Sequence, residues 1–258
     1  MLPVRPAARL LGMTSTETTM PGAPIWIDLA VADPAAATEF YGSVFGWTAE
    51  PMAGAWRLLN GDRAVGSMAE NSATTQRPDG WLVFLLAPDV DSTSLAARAN
   101  GGDVYSRQDE MITVKDSQGA LVGAWNPGEH KALIYSDETG MPVWHELHAA
   151  DYDGALEFYE NVFEWEPETM SATPEFRYST LGAGRDAVAG LFDAKADLGD
   201  LPTHWKVYFA VDDANATAAR ITELGGTMLT EPTDTPFGRM AHALDYAGVP
   251  FSIIENRG

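Results

Sequence analysis

Hydrophobic positions recur along the chain with two different spacings. Ile27, Leu29 and Val31 alternate with polar or small residues, which is typical of a strand with one apolar face. The dipeptide Asp33-Pro34 follows, a helix N-cap with proline at the first helical position. The next apolar residues lie three or four positions apart, at Ala37, Phe40, Tyr41, Val44 and Phe45. The pattern therefore predicts a strand and then a helix that begins after Asp33.

The same alternation of spacings continues through the first half of the chain. Strand-like runs follow at Trp56–Leu59 and Ala64–Ala69. A new strand at Trp81–Ala87 precedes a helix from about Asp91, which ends where Gly101 occupies the C′ position. The unit closes with strands near Ile112–Val114 and Leu121–Trp125. This order predicts two successive βαβββ units.

The second half repeats the first. The segment IWIDLAVADPAAATEFYGSVFGW at residues 25–47 matches VWHELHAADYDGALEFYENVFEW at residues 143–165. The chain is thus predicted to hold four βαβββ units in two domains, at residues 21–127 and 141–258. A linker is expected over residues 128–140, where glycines flank a polar run. Residues 1–20 lack periodicity and are expected to form a disordered tail, in which Met13 or Met20 is an alternative start.

Composition and charge limit the classes of molecule that the protein is expected to bind. The 258 residues carry 16 Lys and Arg against 37 Asp and Glu, a formal charge of -21, which disfavours nucleic acid and anionic membranes. No apolar run is long enough to span a bilayer. The absence of Cys excludes disulfides, thiolate nucleophiles and Cys-ligated zinc, and it fits a reducing compartment. We therefore expect a cytoplasmic protein whose partner is a small-molecule ligand.

The repeated motifs resemble the vicinal oxygen chelate superfamily, which contains glyoxalase I, extradiol dioxygenases, fosfomycin resistance enzymes and bleomycin-binding proteins. The carriers are a strand-Asp-helix pattern with Phe-Tyr in both halves, the run VDDANATAARITELGG, and two D-x-x-G strand entries. They lie at Asp33…Phe40-Tyr41, Asp151…Phe158-Tyr159, Val211–Gly226, Asp116…Gly119 and Asp245…Gly248. The tandem arrangement is also similar to a two-domain actinobacterial group labelled hydroxylase-like or glyoxalase-like.

The resemblance implies an α+β fold in which paired βαβββ modules form an open curved sheet with a concave ligand face. Metal-dependent members place a His early in a module's first strand and a Glu near the end of its last strand. The matching positions here hold other residues: Trp26, Leu82, Gly123, Trp144, Lys206 and Ser252. We therefore predict that the protein holds no metal ion and no organic cofactor. A one-residue slip of the strand, which would bring His145 to the first-strand position, is the alternative.

Strand alternation predicts which residues face the ligand. In the first half these are Trp26 and Asp28, beside an apolar second strand. In the second half they are polar, and all five His of the chain lie at or after residue 130. We predict the better site there, with Glu146 and His148 as candidate catalytic residues. The candidate ligand-binding residues are Trp144, His204, Lys206, Tyr208, Arg239, His242 and Ser252.

Each candidate has a structural alternative. Trp26 and Trp144 are also explained as core packing, and Glu146 and Asp28 as ion pairs with a residue such as Lys206 or Arg177. His148 and His204 are also explained as exposed strand ends, Arg239 as a turn cap and Ser252 as a small strand residue. A His145 that faces the helices is expected to be a core residue.

Three functions follow as hypotheses. The first is a metal-independent protein that binds a small, partly apolar molecule, with acid–base chemistry on a carbonyl by Glu146 and His148. The second is a metal-dependent lyase, isomerase or dioxygenase with a non-standard ligand set, and the third is a non-enzymatic drug- or metabolite-sequestering protein. Because single-domain relatives commonly pair, the duplicated chain is predicted to be a monomer that forms its own pseudo-dimer, or a homodimer.

Overall fold

The computed structural model describes residues 20–71, 77–128, 137–199 and 201–255. In its first half the elements follow the predicted order of two βαβββ units. They are β1 (Pro24–Val31), α1 (Pro34–Phe45), β2 (Thr48–Met52), β3 (Ala55–Asn60), β4 (Arg63–Glu70), β5 (Gly80–Leu86), α2 (Val90–Ala99), β6 (Asp103–Gln108), β7 (Met111–Lys115) and β8 (Leu121–Trp125).

The second half repeats this order with one additional strand, β15. Its elements are β9 (Pro142–Ala149), α3 (Tyr152–Phe163), β10 (Pro167–Thr173), β11 (Phe176–Leu181), β12 (Ala189–Asp193), β13 (His204–Val211), α4 (Ala214–Glu223), β14 (Thr227–Met228), β15 (Thr233–Thr235), β16 (Gly238–Leu244) and β17 (Pro250–Glu255).

Each half forms one mixed sheet, and the two sheets have equivalent strand orders. The first sheet runs β2-β3-β4-β1-β5-β8-β7-β6, and the second runs β10-β11-β12-β9-β13-β17-β16-β14. In both, the first strands of the two modules pair antiparallel at the centre, and each also pairs parallel with its own module's last strand. The predicted α+β fold of four βαβββ units is confirmed.

An aspartate caps each of the four helices. The side chains of Asp33, Asp89, Asp151 and Asp213 accept hydrogen bonds from backbone N–H groups of the first helical turn. Asp33 and Asp151 occupy equivalent strand-to-helix junctions, as the repeat predicted. The second helix begins at Val90, one residue before the expected Asp91, because Asp89 is the cap.

One hydrophobic core runs through both sheets. Helix α1 contacts α4 of the other half, and α2 contacts α3. The ring of Tyr41 lies 5.9 Å from that of Phe251, and the Phe45 ring lies 5.1 Å from that of Phe209, so α1 packs on the second sheet. The two halves are therefore held together by buried aromatic surface.

Hydrogen bonds related by the repeat cross between the halves. The Tyr41 hydroxyl donates to Asp245 at 3.0 Å, and the Tyr159 hydroxyl donates to Asp116 at 3.2 Å. Trp81 and Trp205 each donate an indole N–H to these tyrosine oxygens. Burial raises the pKa of both tyrosines well above their usual value, so the hydroxyls keep the proton that the aspartates accept.

Several sequence predictions fall outside what the structure tests. Residues 1–19 and 129–136, which contain most of the predicted tail and linker, lie outside the described residues, and the domain division stays a prediction. The sequence patterns missed the exposed strands β2 and β6, which have no regular alternation. The α-helices of the described residues have ten to twelve residues, and no helix there is long and apolar enough to cross a membrane.

We expect Tyr41→Phe to lower the free energy of unfolding by about 1–3 kcal/mol, because it leaves a buried carboxylate and an indole N–H with one partner fewer. Tyr246→Phe is the matched control, since its hydroxyl donates to the Asp33 carbonyl at an exposed site. Urea unfolding measures both variants. Equal losses would show that the Tyr41–Asp245 bond adds nothing specific.

Candidate functional site

Polar residues of the second sheet lie on the face opposite the shared core, in three adjacent cross-strand rows. The first row joins β9, β13, β17 and β16 through Trp144, Tyr208, Ser252 and His242. In the second row Glu146 is opposite Lys206, and in the third His148 is opposite His204. The structure therefore brings together eight of the nine residues predicted in this half.

Glu146 is the centre of this cluster. Its Oε1 lies 2.6 Å from Nε2 of His148 and accepts a hydrogen bond from the Tyr208 hydroxyl at 3.0 Å. Its Oε2 accepts from the Tyr178 hydroxyl at 2.6 Å, and Tyr178 in turn accepts from the Trp144 indole at 3.0 Å. The carboxylate is thus fixed by donors from three strands, with its side chain only 12% exposed.

The charges in this cluster are strongly coupled. Burial alone would raise the pKa of Glu146, but the hydrogen bond and charge of His148, with Tyr178 and Lys206, lower it to about 2. Burial and the Glu146 charge raise the pKa of Tyr178 and Tyr208 well above its ordinary value. The carboxylate therefore stays ionised and the two phenols stay protonated donors near neutral pH.

Gly190 makes room for the contact between Tyr178 and Glu146. A Cβ atom at this position would lie 2.0 Å from the Tyr178 hydroxyl oxygen and 3.2 Å from the Trp144 indole nitrogen. Gly190 lies on β12 and pairs with Glu146 of the neighbouring strand β9. Its lack of a side chain is therefore what lets the phenol cross the sheet surface to the carboxylate.

The other histidines of this face are neutral hydrogen-bonding groups. Nδ1 of His204 lies 2.9 Å from the Pro202 carbonyl, and Nδ1 of His242 lies 2.8 Å from the Ser252 hydroxyl. Burial lowers the pKa of each to about 4, with the charges of Lys206 and His148 adding to the effect. The His148 and His204 rings lie 5.5 Å apart and nearly parallel. His148 is buried and His204 is half-buried, so neither is the exposed strand end that the structural alternative describes.

An aromatic surface borders the polar cluster on one side. The Phe176 and Tyr178 rings stack at 5.5 Å, and Phe192 lies 5.4 Å from His148. Phe176 is 38% exposed. Four residues on this side of the face were not predicted from the sequence: Phe176, Tyr178, Gly190 and Phe192. The strand alternation was followed along β9 and β13 but not along β11 and β12, although Phe176 and Tyr178 alternate with Arg177 as a two-faced strand would.

Lys206 is half-buried at the centre of the same face. It makes no hydrogen bond and no salt bridge within 4 Å to any other residue in the described ranges. Burial lowers its pKa, and the charges of Glu146 and Asp197 oppose that shift. Within the described residues the ammonium donors therefore have no protein acceptor.

Two arginines named in the sequence analysis lie elsewhere. Arg239 is on the core side of β16, where it donates to Asn215 of α4 and pairs with Asp234, so it does not reach the cluster. His242 lies three positions further along β16, an odd number, so its side chain points to the opposite face, where the cluster lies. Arg177 pairs with Asp153 and Asp193 and is not the partner of Glu146.

The equivalent face of the first half is arranged differently. Asp28 accepts from the Ser67 hydroxyl at 2.7 Å and pairs with Arg77 at 3.1 Å, while Ser67 accepts from the Trp26 indole. Asp28 is therefore neutralised in an ion pair, which is the structural alternative given for it above. Beside it Phe84 occupies the space where a Cβ at Gly123 would lie, at 2.2 Å. This face is largely filled by its own side chains.

His145 lies on the opposite face from Glu146 and is fully buried, as expected for a core histidine. Burial lowers its pKa to about 3. The strand is therefore in the predicted register, and the alternative slip that would place His145 among the ligand-facing residues does not occur.

The residues of this face fit a metal ion poorly. No group of three His, Asp or Glu side chains that could hold one occurs within the described residues. Both oxygens of Glu146 already accept hydrogen bonds, and the Lys206 ammonium opposite would repel a divalent cation. Trp144 offers only a donor. We assign no step to a metal ion, and its absence remains a prediction.

Comparison with known proteins finds relatives along nearly the whole chain. A family model described as "Glyoxalase/Bleomycin resistance protein/Dioxygenase superfamily" matches residues 143–253. A Mycobacterium bovis protein named "Putative glyoxylase CFP32" is 35% identical over 250 residues, covering 91% of this chain and 95% of that protein. The "Anthracycline biosynthesis protein DnrV" of Streptomyces peucetius is 30% identical over 275 residues, covering 92% and 94%.

Solved structures share the fold at low identity. The Mn(II)-bound glyoxalase from Novosphingobium aromaticivorans superposes with a TM-score of 0.60 at 15% identity, covering 91% of this chain and 82% of that one. The 2,3-dioxygenase LapB from Pseudomonas sp. KL28 gives a TM-score of 0.60 at 11% identity, covering 93% and 94%. At such identities the likeness is one of fold alone.

We expect the chain to lose stability as the pH falls below 6.5, partly through His145. Its pKa is lower in the folded than in the unfolded chain, so between about 6.5 and 3 the unfolded state binds the extra proton. Stability then falls with acidification by about 1.4 kcal/mol per pH unit for this group. Urea unfolding of wild type and His145→Gln at pH 6.5, 5.5 and 4.5 measures it.

The difference in unfolding free energy between the two proteins should shrink with each step to lower pH. Glu146 begins to take up a proton in the unfolded chain at the lowest of these pH values, but this contribution is common to both proteins and cancels from the difference. Parallel pH profiles for the two proteins would contradict the prediction.

Proposed function

Because the chain belongs to the Glyoxalase/Bleomycin resistance protein/Dioxygenase superfamily, we propose that its second half binds a small molecule on the polar face of the sheet and transfers a proton on it without a metal ion. The observation that carries the proposal is the buried contact of 2.6 Å between Glu146 and His148. A carboxylate held by two phenols beside a histidine is an arrangement that orients an imidazole for proton transfer.

His148 is the proton-transfer group in this proposal, and Glu146 positions it. Glu146 is a weak base, because its pKa is about 2 and both its oxygens are engaged. By accepting a hydrogen bond from Nε2 of His148, it leaves the lone pair on Nδ1, which has no hydrogen-bond partner within the described part of the chain. Nδ1 can therefore take a proton from a carbon next to a ligand carbonyl and return it.

The ligand in this proposal is a flat, partly aromatic molecule that carries a carbonyl oxygen. The rings of Phe176, Tyr178 and Phe192 offer an apolar surface beside the polar cluster. Neutral His204 and His242 and the phenol of Tyr208 offer hydrogen bonds without charge. The name of the Streptomyces relative, an anthracycline biosynthesis protein, is in keeping with a polycyclic ligand.

The proposal is tested by proton exchange into a model ketone. Wild-type protein treated with EDTA is mixed with 2-tetralone in D2O, and deuterium incorporation next to the carbonyl is followed by NMR. We expect exchange above the buffer rate, and a loss of about 100-fold or more in His148→Asn, the usual contribution of a general base. Glu146→Gln should lose part of the rate and shift its pH profile, as expected for a positioning residue.

Glu168→Gln is the matched control, since Glu168 is an exposed carboxylate on the edge strand β10. Its exchange rate should equal that of wild type. Exchange that EDTA abolishes and a divalent metal restores would replace the proposal with the metal-dependent alternative. Binding of 2-tetralone by wild type and His148→Asn alike, without exchange, would favour sequestration.

A further inference from the structure

We infer that Lys206 is an anchor for a carboxylate, so that the ligand of this face is an organic anion. This inference rests on the proposed function and adds the charge of the ligand to it. The lysine lies on the central strand β13, directly opposite Glu146 and between His204 and Tyr208 on the same face. A ligand over the cluster would therefore meet its ammonium group.

The hydrogen bonds of the cluster leave the lysine out. Glu146, the nearest opposite charge across the strand pair, is instead satisfied by His148, Tyr178 and Tyr208. No salt bridge within 4 Å joins Lys206 to a carboxylate in the described residues. A half-buried ammonium has three donors, and leaving them without acceptors costs free energy that a bound anion would recover.

The carboxylates of Glu146 and Asp197 act on Lys206 through their charge, but within the described residues neither accepts a hydrogen bond from it or forms a salt bridge with it within 4 Å. His204 and His242 are neutral near pH 7, and both tyrosines keep their protons. Burial lowers the pKa of Lys206, which is the response of an ammonium that lacks full compensation. Because Lys206 forms no hydrogen bond or salt bridge with any described residue before a ligand binds, the acceptor is one that the ligand brings from solution, which favours a carboxylate over an enolate formed during a reaction.

The contrast with the first half supports the same reading. There the equivalent carboxylate, Asp28, is paired with Arg77, and the residue opposite it is Leu82. In a chain of formal charge -21, an unpaired cation kept on one sheet face is a local feature and does not follow from the overall charge. A neutral ligand would leave the ammonium without a hydrogen-bonded anionic partner among the described residues.

The test compares two probes with the same ring system and different charge, 2-naphthoate and 2-naphthamide, by calorimetric titration at pH 7.5. We expect wild type to bind the carboxylate at least about tenfold more tightly than the amide, the size of a charge-assisted hydrogen bond. Lys206→Met should remove that preference, and Lys206→Arg, which retains the charge, should keep it. Lys195→Met, at an exposed turn, is the control and should behave as wild type.

The outcomes separate this inference from the function on which it rests. Equal binding of the two probes by wild type, or a preference that survives in Lys206→Met, would overturn the carboxylate anchor while leaving a ligand site in place. Failure of both probes to bind wild type would overturn the proposed function and the anchor together. If Lys206→Met does not fold, loss of the preference in Lys206→Gln, with amide binding unchanged, supports the anchor, and its retention overturns it.

Discussion

The buried carboxylate of Glu146 determines the arrangement of the second sheet's polar face. An ionised carboxylate away from water is unstable unless several donors reach it, and here His148, Tyr178 and Tyr208 all do. Each of these donors is thereby fixed in one orientation. Trp144 is fixed in turn by its bond to Tyr178. The positions of the groups that a ligand would meet therefore follow from the need to satisfy one charge.

Both halves have an acidic residue at the equivalent strand position, Asp28 in the first and Glu146 in the second. Their hydrogen-bond partners differ because the paired residue on the adjacent parallel strand is Ser67 in the first half and Gly190 in the second. Where Ser67 lies beside Asp28, its hydroxyl supplies a short local hydrogen bond, and Arg77 completes the pairing. Where Gly190 lies beside Glu146, the absent side chain admits a phenol from the next strand. One carboxylate is closed off by an ion pair, and the other is left at the centre of a network that faces outward.

The fold was predictable because it depends on local patterns that the sequence states twice. Asp33 and Asp151 begin equivalent helices, and a period of two separates ligand-facing Glu146 from buried His145. The same alternation, applied to β11, would have identified Tyr178. Whether its phenol reaches Glu146 depends on the missing Cβ of Gly190, which is a matter of tertiary packing. Arg239 was assigned to the wrong face because it was chosen for its position in a loop, without regard to strand alternation.

The shared core explains why this face is free to carry chemistry. Helix α1 contacts α4 and α2 contacts α3 across the two halves, and the hydrogen bonds of Tyr41 and Tyr159 join each half to the other on the core side of the sheets. Stability is thus supplied by one side of each sheet, and the other side is left to vary. At the positions that the family resemblance assigns to metal ligands, the second half has Trp144, Lys206 and Ser252, with a carboxylate and histidines beside them. A lysine at a central strand position can polarise or anchor an oxygen, as a cation does, but it also carries protons and three directional donors. The change of residue type is therefore in keeping with the proposed function, in which hydrogen bonding and proton transfer take the place of metal coordination.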